Sequence, residues 1–218
     1  MKKILLILLL FSPNIMAEST VIENDEWQMT WINANQTTTN YSTAAAAEWG
    51  NSERPEDDKV PIMLPDLSAI PAGSNIDSVH LIISDVWSAD SVYQLWPIIT
   101  SWSEASPNCW DSSSTENEWN TGGFSYATDL GSPADSCESG RSDGDDMVWF
   151  SGDGDGLCEA IQATLDGTAY GVAFYMEGNG SVTSSINTED HATPGDRPTM
   201  TVIYTAGSSA PPYFPGVK

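Results

Sequence analysis

Apolar and polar positions alternate with a period of two along most of the chain. Between Ile76 and Ile83, Val79, Leu81 and Ile83 fall on one face and Ser78, His80 and Ile82 on the other. This pattern predicts a strand with one buried face. Val60 to Leu64 is a short apolar run that reads as the strand before it. Pro71, Gly73, Ser74 and Asn75 predict a turn between them, because proline fixes φ while glycine and asparagine accept positive φ. Upstream, Trp27, Met29 and Trp31 share a face opposite Gln28 and Thr30, so Glu18 to Ile32 reads as one strand or a broken one. Asn33 to Thr43 reads as a polar loop and Asn51 to Lys59 as a charged turn. Between them, Ala44 to Trp49 reads as a strand despite its alanines, since six residues are too few for a stable helix and Gly50 stops it.

Further on, Ser91 to Thr100 alternates again. Pro97 cannot donate to a ladder, so an edge strand or a bulge is expected there. Ser103 to Asp145 is long, polar and poor in apolar residues, which is unusual inside a compact domain and often functional. Met147 to Phe150 reads as a short strand. Leu157, Ile161 and Leu165 are spaced for a short helix or turn. Tyr170 to Met176 and Ser181 to Ile186 read as a hairpin around Glu177-Gly-Asn-Gly. Thr199 to Thr205 is the last strand. Eight to ten short strands with almost no helix predict an all-β fold, an antiparallel β-sandwich of jelly-roll kind.

The first residues read as a targeting segment. Lys2 and Lys3 precede the apolar run Ile4 to Phe11, then Ser12, Pro13 and Asn14 break it. The pattern predicts a secretory signal peptide over residues 1–17, cleaved after Ala17. A single domain over 18–205 and a Pro/Ser/Gly-rich tail over 206–218 follow. No later stretch approaches transmembrane length, so a secreted, extracellular product without membrane insertion is expected. Removal of Lys2 and Lys3 would take the formal charge from −24 to −26, leaving Arg54, Lys59, Arg141, Arg197 and Lys218. So acidic a surface excludes nucleic acid as an expected partner. It suits salty or calcium-containing surroundings, or serves solubility alone.

Several stretches resemble one family. LPDLSAIPAGSNIDSVHLII (residues 64–83) is similar to the signature of the DNRLRE domain, a disaggregatase-related family of extracellular β-sandwich modules, with Pro65 where phenylalanine is usual. Trp102-Ser-Glu104, Cys109-Trp110-Asp111 and Trp119-Asn-Thr-Gly-Gly123 resemble its next stretch. Leu157 to Phe174 resembles the one after, and Ser184 to Tyr204 its close, with Glu189, Arg197 and Pro198 as matching residues. The resemblance implies a sandwich covering most of residues 18–205. Its carbohydrate-binding members imply a polysaccharide or cell-surface glycan as partner.

Three groups of residues carry candidate chemistry. Trp102, Trp110 and Trp119 lie among Glu104 and Asp111. Aromatic faces can stack on a pyranose while carboxylates bond its hydroxyls. The alternative is that these tryptophans pin the long loop to the sandwich. With no basic residue nearby, a neutral glycan or a calcium-bridged contact is expected. Asp143, Asp145, Asp146, Asp153 and Asp155 lie in two Asp-Gly runs that could hold a structural calcium across a hairpin, though neither matches an EF-hand loop. The alternative is a pair of solvated turns. Cys109 and Cys137 both lie in the polar segment and are expected to pair as a loop-stapling disulfide, with Cys137–Cys158 as the competitor. A catalyst is not expected. The histidines are His80 and His191, and Glu189, Asp190, Asp196 and Arg197 read as a structural charge cluster. The sequence thus predicts a non-catalytic glycan-binding module. Its alternative is a self-associating subunit of an extracellular filament, sheath or surface layer, docking through sheet edges and the tail residues Tyr213, Phe214 and Val217.

Overall fold

A computed structural model describes residues 16–23, 26–34, 36, 38–51, 59–86, 91–104, 119, 124–125, 128–139, 145–177 and 182–207. The chain runs β1 (Ala17–Glu23), β2 (Trp27–Asn33), β3 (Ala46–Asn51), β4 (Lys59–Pro65), β5 (Asn75–Val86), β6 (Ser91–Pro97), β7 (Asp135–Ser139) and β8 (Asp145–Gly152). Helix α1 (Gly156–Leu165), β9 (Val172–Glu177), β10 (Val182–Asn187) and β11 (Thr199–Thr205) complete it. The expected signal segment, apart from Met16 and Ala17, and the tail beyond Gly207 lie outside the described residues.

The strands form two sheets in which all pairings are antiparallel. One has the order β1-β11-β5-β8; the other has the order β10-β3-β4-β9-β6-β7, with β2 on β4. The all-β sandwich is therefore present. Alternation decides which side chains meet between the sheets. Val79, Leu81 and Ile83 of β5 are buried, as are Met147 and Trp149 of β8 and Met200 and Val202 of β11. They join Met29, Trp31, Met63, Leu95 and Phe174 of the other sheet in one core. The Trp149 and Phe174 rings meet across it with centroids 5.6 Å apart. Helix α1 packs against β5, β8 and β6. It turns in Leu157 and Ile161, the spacing seen in the sequence, and half-buries Leu165.

The seven-stranded sheet is buried on its other face as well. Ile32, Val60, Ile62 and Ala173 point away from the main core into a second one, roofed by Ile98, Trp102, Trp119, Phe124 and Leu130. The polar segment is thus a cover laid over this sheet, anchored by its few apolar residues. Buried from both sides, β4 loses the alternation of a half-exposed strand and becomes the continuous apolar run of Val60 to Met63.

The break allowed for within Glu18 to Ile32 is present: β1 and β2 lie in different sheets, and the Glu23 N–H donates to Glu26 Oε2 at 2.9 Å. Three expectations need correction. The β9–β10 hairpin does not form. β9 lies between β4 and β6, and β10 pairs with β3 in the register Val182↔Asn51 to Asn187↔Ala46. β6 is internal, between β9 and β7, and tolerates Pro97 because β7 pairs with it only as far as Leu95. The missing N–H therefore falls beyond the partner strand. Finally, the polar segment contains a strand, β7.

Cys158 is buried in α1 as a free thiol, its Sγ 3.4 Å from the Ile76 carbonyl oxygen. This excludes the Cys137–Cys158 pairing. Burial first, then the surrounding carboxylates, pushes its thiol up to about 11. The Cys109–Cys137 pairing involves Cys109, which lies outside the described residues.

Candidate functional site

The tryptophans expected to meet a sugar are interior. Trp119 is 1% exposed and packs edge-on against Phe124 with centroids 5.1 Å apart. Trp102 is 6% exposed, and its indole N–H donates to the Tyr170 carbonyl at 2.7 Å. Rings sealed in the second core offer no face to a pyranose, so this is a correction: they pin the covering segment to the sheet. Trp110 and Asp111 lie outside the described residues.

The Asp-Gly runs do not converge either. Asp145 and Asp146 begin β8, whereas Asp153 and Asp155 follow its end. Eight residues of strand separate Asp145 from Asp153, or roughly 26 Å at a strand's rise per residue. One ion cannot be held by both runs, which corrects the single-site expectation. Asp153 and Asp155 are exposed, and Gly154 and Gly156 take positive φ between and after them, as tight turn chemistry requires. Asp143 lies outside the described residues.

The fold brings together a different set of acids. Thr188 fixes the turn after β10: its N–H donates to Ala45 O at 3.2 Å and its hydroxyl to Ala44 O at 2.5 Å. That turn aims Glu189 inward at β2, where Oε1 accepts the Met29 N–H at 2.8 Å. β2 pairs with β4 alone among the described residues, so Glu189 covers part of an otherwise open strand edge. Glu104 arrives from the opposite direction, just after the anchored Trp102, and its N–H donates to Gln28 Oε1 at 3.2 Å. Carboxylate oxygens of Glu104, Glu189 and Asp190 lie within 4.8 Å of one another. Glu189 is therefore drawn into the protein, while Arg197 Nε donates to the His191 carbonyl at 2.9 Å.

Electrostatics follow from that geometry. Burial, and then the hydrogen bond and charge of Glu104, push the Glu189 carboxyl up to about 9. Burial also raises Glu104; the bond to Glu189 opposes this and the charge of Asp190 adds to it. A carboxyl pair with displaced pKa values is the raw material of acid–base catalysis. Here Glu189 is 8% exposed with Oε2 sealed from solvent, so no substrate reaches it. The nearby open cleft, about 790 Å³, is lined by Glu26, Gln28, Asp66, Ser68 and Thr164 among others, but by neither Glu104 nor Glu189.

The raised carboxyl gives a pH dependence. Between about pH 4.5 and 9 the folded protein holds a proton on Glu189 that the unfolded chain has released. Its contribution is therefore complete below about pH 4.5 and is lost as pH rises toward 9. In chelator, the melting temperature should fall across that window more steeply in the wild type than in Glu189→Gln, whose amide oxygen still accepts from Met29. Parallel curves would show that Glu189 is ionised throughout.

A second feature lies on the outer face of the four-stranded sheet. Of the six exposed large apolar side chains among the described residues, Val21, Val148, Phe150 and Ile203 share this face. Register places Val21, Thr201, His80 and Phe150 in one row across the four strands. Ser19, Ile203, Ser78 and Gly152 form the next row. Phe150 is 72% exposed, and its ring lies edge-on to that of His80 with centroids 6.3 Å apart. The alternation of β8 contained this signal, since Val148 and Phe150 fall opposite Met147 and Trp149.

Among the described residues, no helix is long and apolar enough to cross a membrane. No protein-family model matches the chain, and no curated protein matches it in sequence. Among solved structures, it is similar to the K3 cleaved adhesin domain of Lys-gingipain from Porphyromonas gingivalis, at 14% identity over 88% of this chain and 94% of that one, with a TM-score of 0.28. A likeness at that score lends no support to any reading of this chain.

Proposed function

We propose that residues 18–205 are a secreted, non-catalytic β-sandwich of jelly-roll and DNRLRE type that binds a polysaccharide or cell-surface glycan. The exposed Phe150 ring on the sheet face carries this reading. It is an open aromatic surface with the His80 imidazole beside it and the hydroxyls of Thr201 and Ser78 on the same rows. Apolar ring and surrounding hydrogen-bonding groups are what a neutral sugar face meets well. A net charge of −24 disfavours an anionic glycan unless a cation bridges it. Trp110 and Asp111 remain part of the proposed ligand set from sequence. In affinity electrophoresis through gels cast with neutral polysaccharides, the wild type should be retarded by at least one, and Phe150→Ala should migrate as in a blank gel. Retardation unchanged in Phe150→Ala would place the ligand elsewhere.

One observation favours an assembly subunit as the second reading. β8 is an edge of its sheet, pairs with β5 alone among the described residues, and exposes Val148 and Phe150. An unpaired edge with apolar side chains is a template for another strand. Large particles by light scattering that dissociate in Val148→Lys, together with no glycan retardation, would favour that reading.

A further inference from the structure

An unpaired strand edge is a template for another strand unless charge, proline or a covering side chain guards it. Most edges of this fold are guarded or polar. Glu189 covers part of β2. β1 carries Glu18 and Glu23, and β7 carries Asp135 and Glu138. β10 is the polar run Val-Thr-Ser-Ser-Ile-Asn. β8 differs. From Met147 to Gly152 it holds no charge and no proline, and it pairs with β5 alone among the described residues. It turns Val148 and Phe150 outward at 42% and 72% exposure. Two copies of a chain with net charge −24 meet most easily where neither surface is charged. Met147 to Gly152 gives each copy such a window.

We propose that β8 pairs antiparallel with β8 of a second copy about a two-fold axis, closing a dimer in which the two four-stranded sheets become one. The inference rests on the same edge as the assembly reading above and names the strand that fills it. Antiparallel pairing of a strand with itself is isologous, so it closes and does not propagate. Centred on Trp149, the register sets Val148 of each copy opposite Phe150 of the other. An aromatic residue across from a β-branched one is a favoured cross-strand pair. The same register keeps Met147 and Trp149 on the buried face and Val148 and Phe150 on the outer one. The two Phe150 residues become diagonal neighbours, roughly 7–8 Å apart, and form one aromatic pair in the middle of the outer face. At its two ends the pairing brings Asp145 of each copy beside Asp153 of the other, since Asp145 opens β8 and Asp153 follows it. Like charges there oppose the dimer, and salt screens them.

The test is sedimentation equilibrium of residues 18–218 over a range of concentrations, with the fold of each variant checked by circular dichroism. The wild type should fit a monomer–dimer equilibrium that tightens as sodium chloride is raised. Val148→Lys should weaken the dimer by on the order of tenfold or more, because symmetry counts the substitution twice. Val148 is exposed, so this variant should fold. Val21→Lys, on the edge strand β1, should dimerise as the wild type does. A monomer at every concentration would overturn the proposal. So would equal loss in the two variants, the mark of head-to-tail pairing between β8 and β1. A dimer that weakens with salt would overturn it too, since ion pairs would then hold it and this edge supplies none. Particles that keep growing with concentration would overturn the closed dimer and leave the assembly reading standing. A dimer of the expected behaviour supports the proposal whether or not any glycan retards the protein.

Discussion

Trp119→Ala is expected to destabilise the protein by about 3–5 kcal/mol, the range for removing a buried aromatic side chain. Trp119 is 1% exposed and stands among Ile32, Ile62, Phe124 and Leu130 in the second core. Truncation there leaves a cavity between a sheet and its cover, and the cover has few other apolar anchors with which to collapse into it. The cost is a large share of the roughly 5–15 kcal/mol that holds a domain folded. Urea denaturation followed by circular dichroism would measure it. A ring serving instead as an exposed sugar platform would cost about 0.5 kcal/mol or less on removal. The stability measurement therefore separates the two roles of this tryptophan without any ligand.

Gly171→Ala should be comparably severe. Gly171 has φ of 87°, a conformation that L side chains rarely adopt. A Cβ there would lie 2.1 Å from the Met63 carbonyl oxygen and 2.9 Å from Leu64 Cα, both backbone atoms of β4. The glycine is also tied on both sides: its N–H donates to Thr164 Oγ1 at 3.3 Å, and its carbonyl accepts the Ile98 N–H at 2.9 Å. Gly171 cannot move aside without breaking these bonds, and β4 cannot without disturbing its pairing with β2 and β9. Backbone strain and overpacking together should cost about 3–5 kcal/mol. Gly73→Ala is the control. Its φ is also positive, at 78°, but nothing lies within 4 Å of the added carbon, so only the conformational part of the cost remains. Equal losses at the two positions would show that φ alone, and not the approach of β4, requires glycine at 171.

Where burial is one-sided, the sequence was easy to read. Val79, Leu81 and Ile83 announced the inward face of β5. Leu157, Ile161 and Leu165 announced α1, and Thr199 to Thr205 matches β11 end for end. Partner choice was not legible, because turn residues report only where a chain bends. The glycines after Glu177 suggested a hairpin, yet β9 and β10 are separated by β3 and β4. The double burial of β4 left a trace in its continuous apolar run. The material covering it was disguised by a polar segment whose tryptophans suit a binding loop and a roof equally well. The acidic cluster was least visible, since Glu104 and Glu189 meet only through long-range folding. Each had been singled out as a match to the same family pattern, the one signal in the sequence that could have paired them.

The glycan-binding reading rests on where a ligand lands, and amide chemical-shift mapping reports that directly. Isotope-labelled protein spanning residues 18–218 would be titrated with soluble oligosaccharides of whichever neutral polysaccharide retards it. The account predicts saturable shifts concentrated at Phe150, His80, Thr201 and their neighbours on β8, β5 and β11, with the amides around Trp102 and Trp119 unmoved. Shifts confined to the amides around Trp102 and Trp119 or to the cleft lined by Glu26, Gln28 and Asp66, or no saturable shift at all, would contradict it.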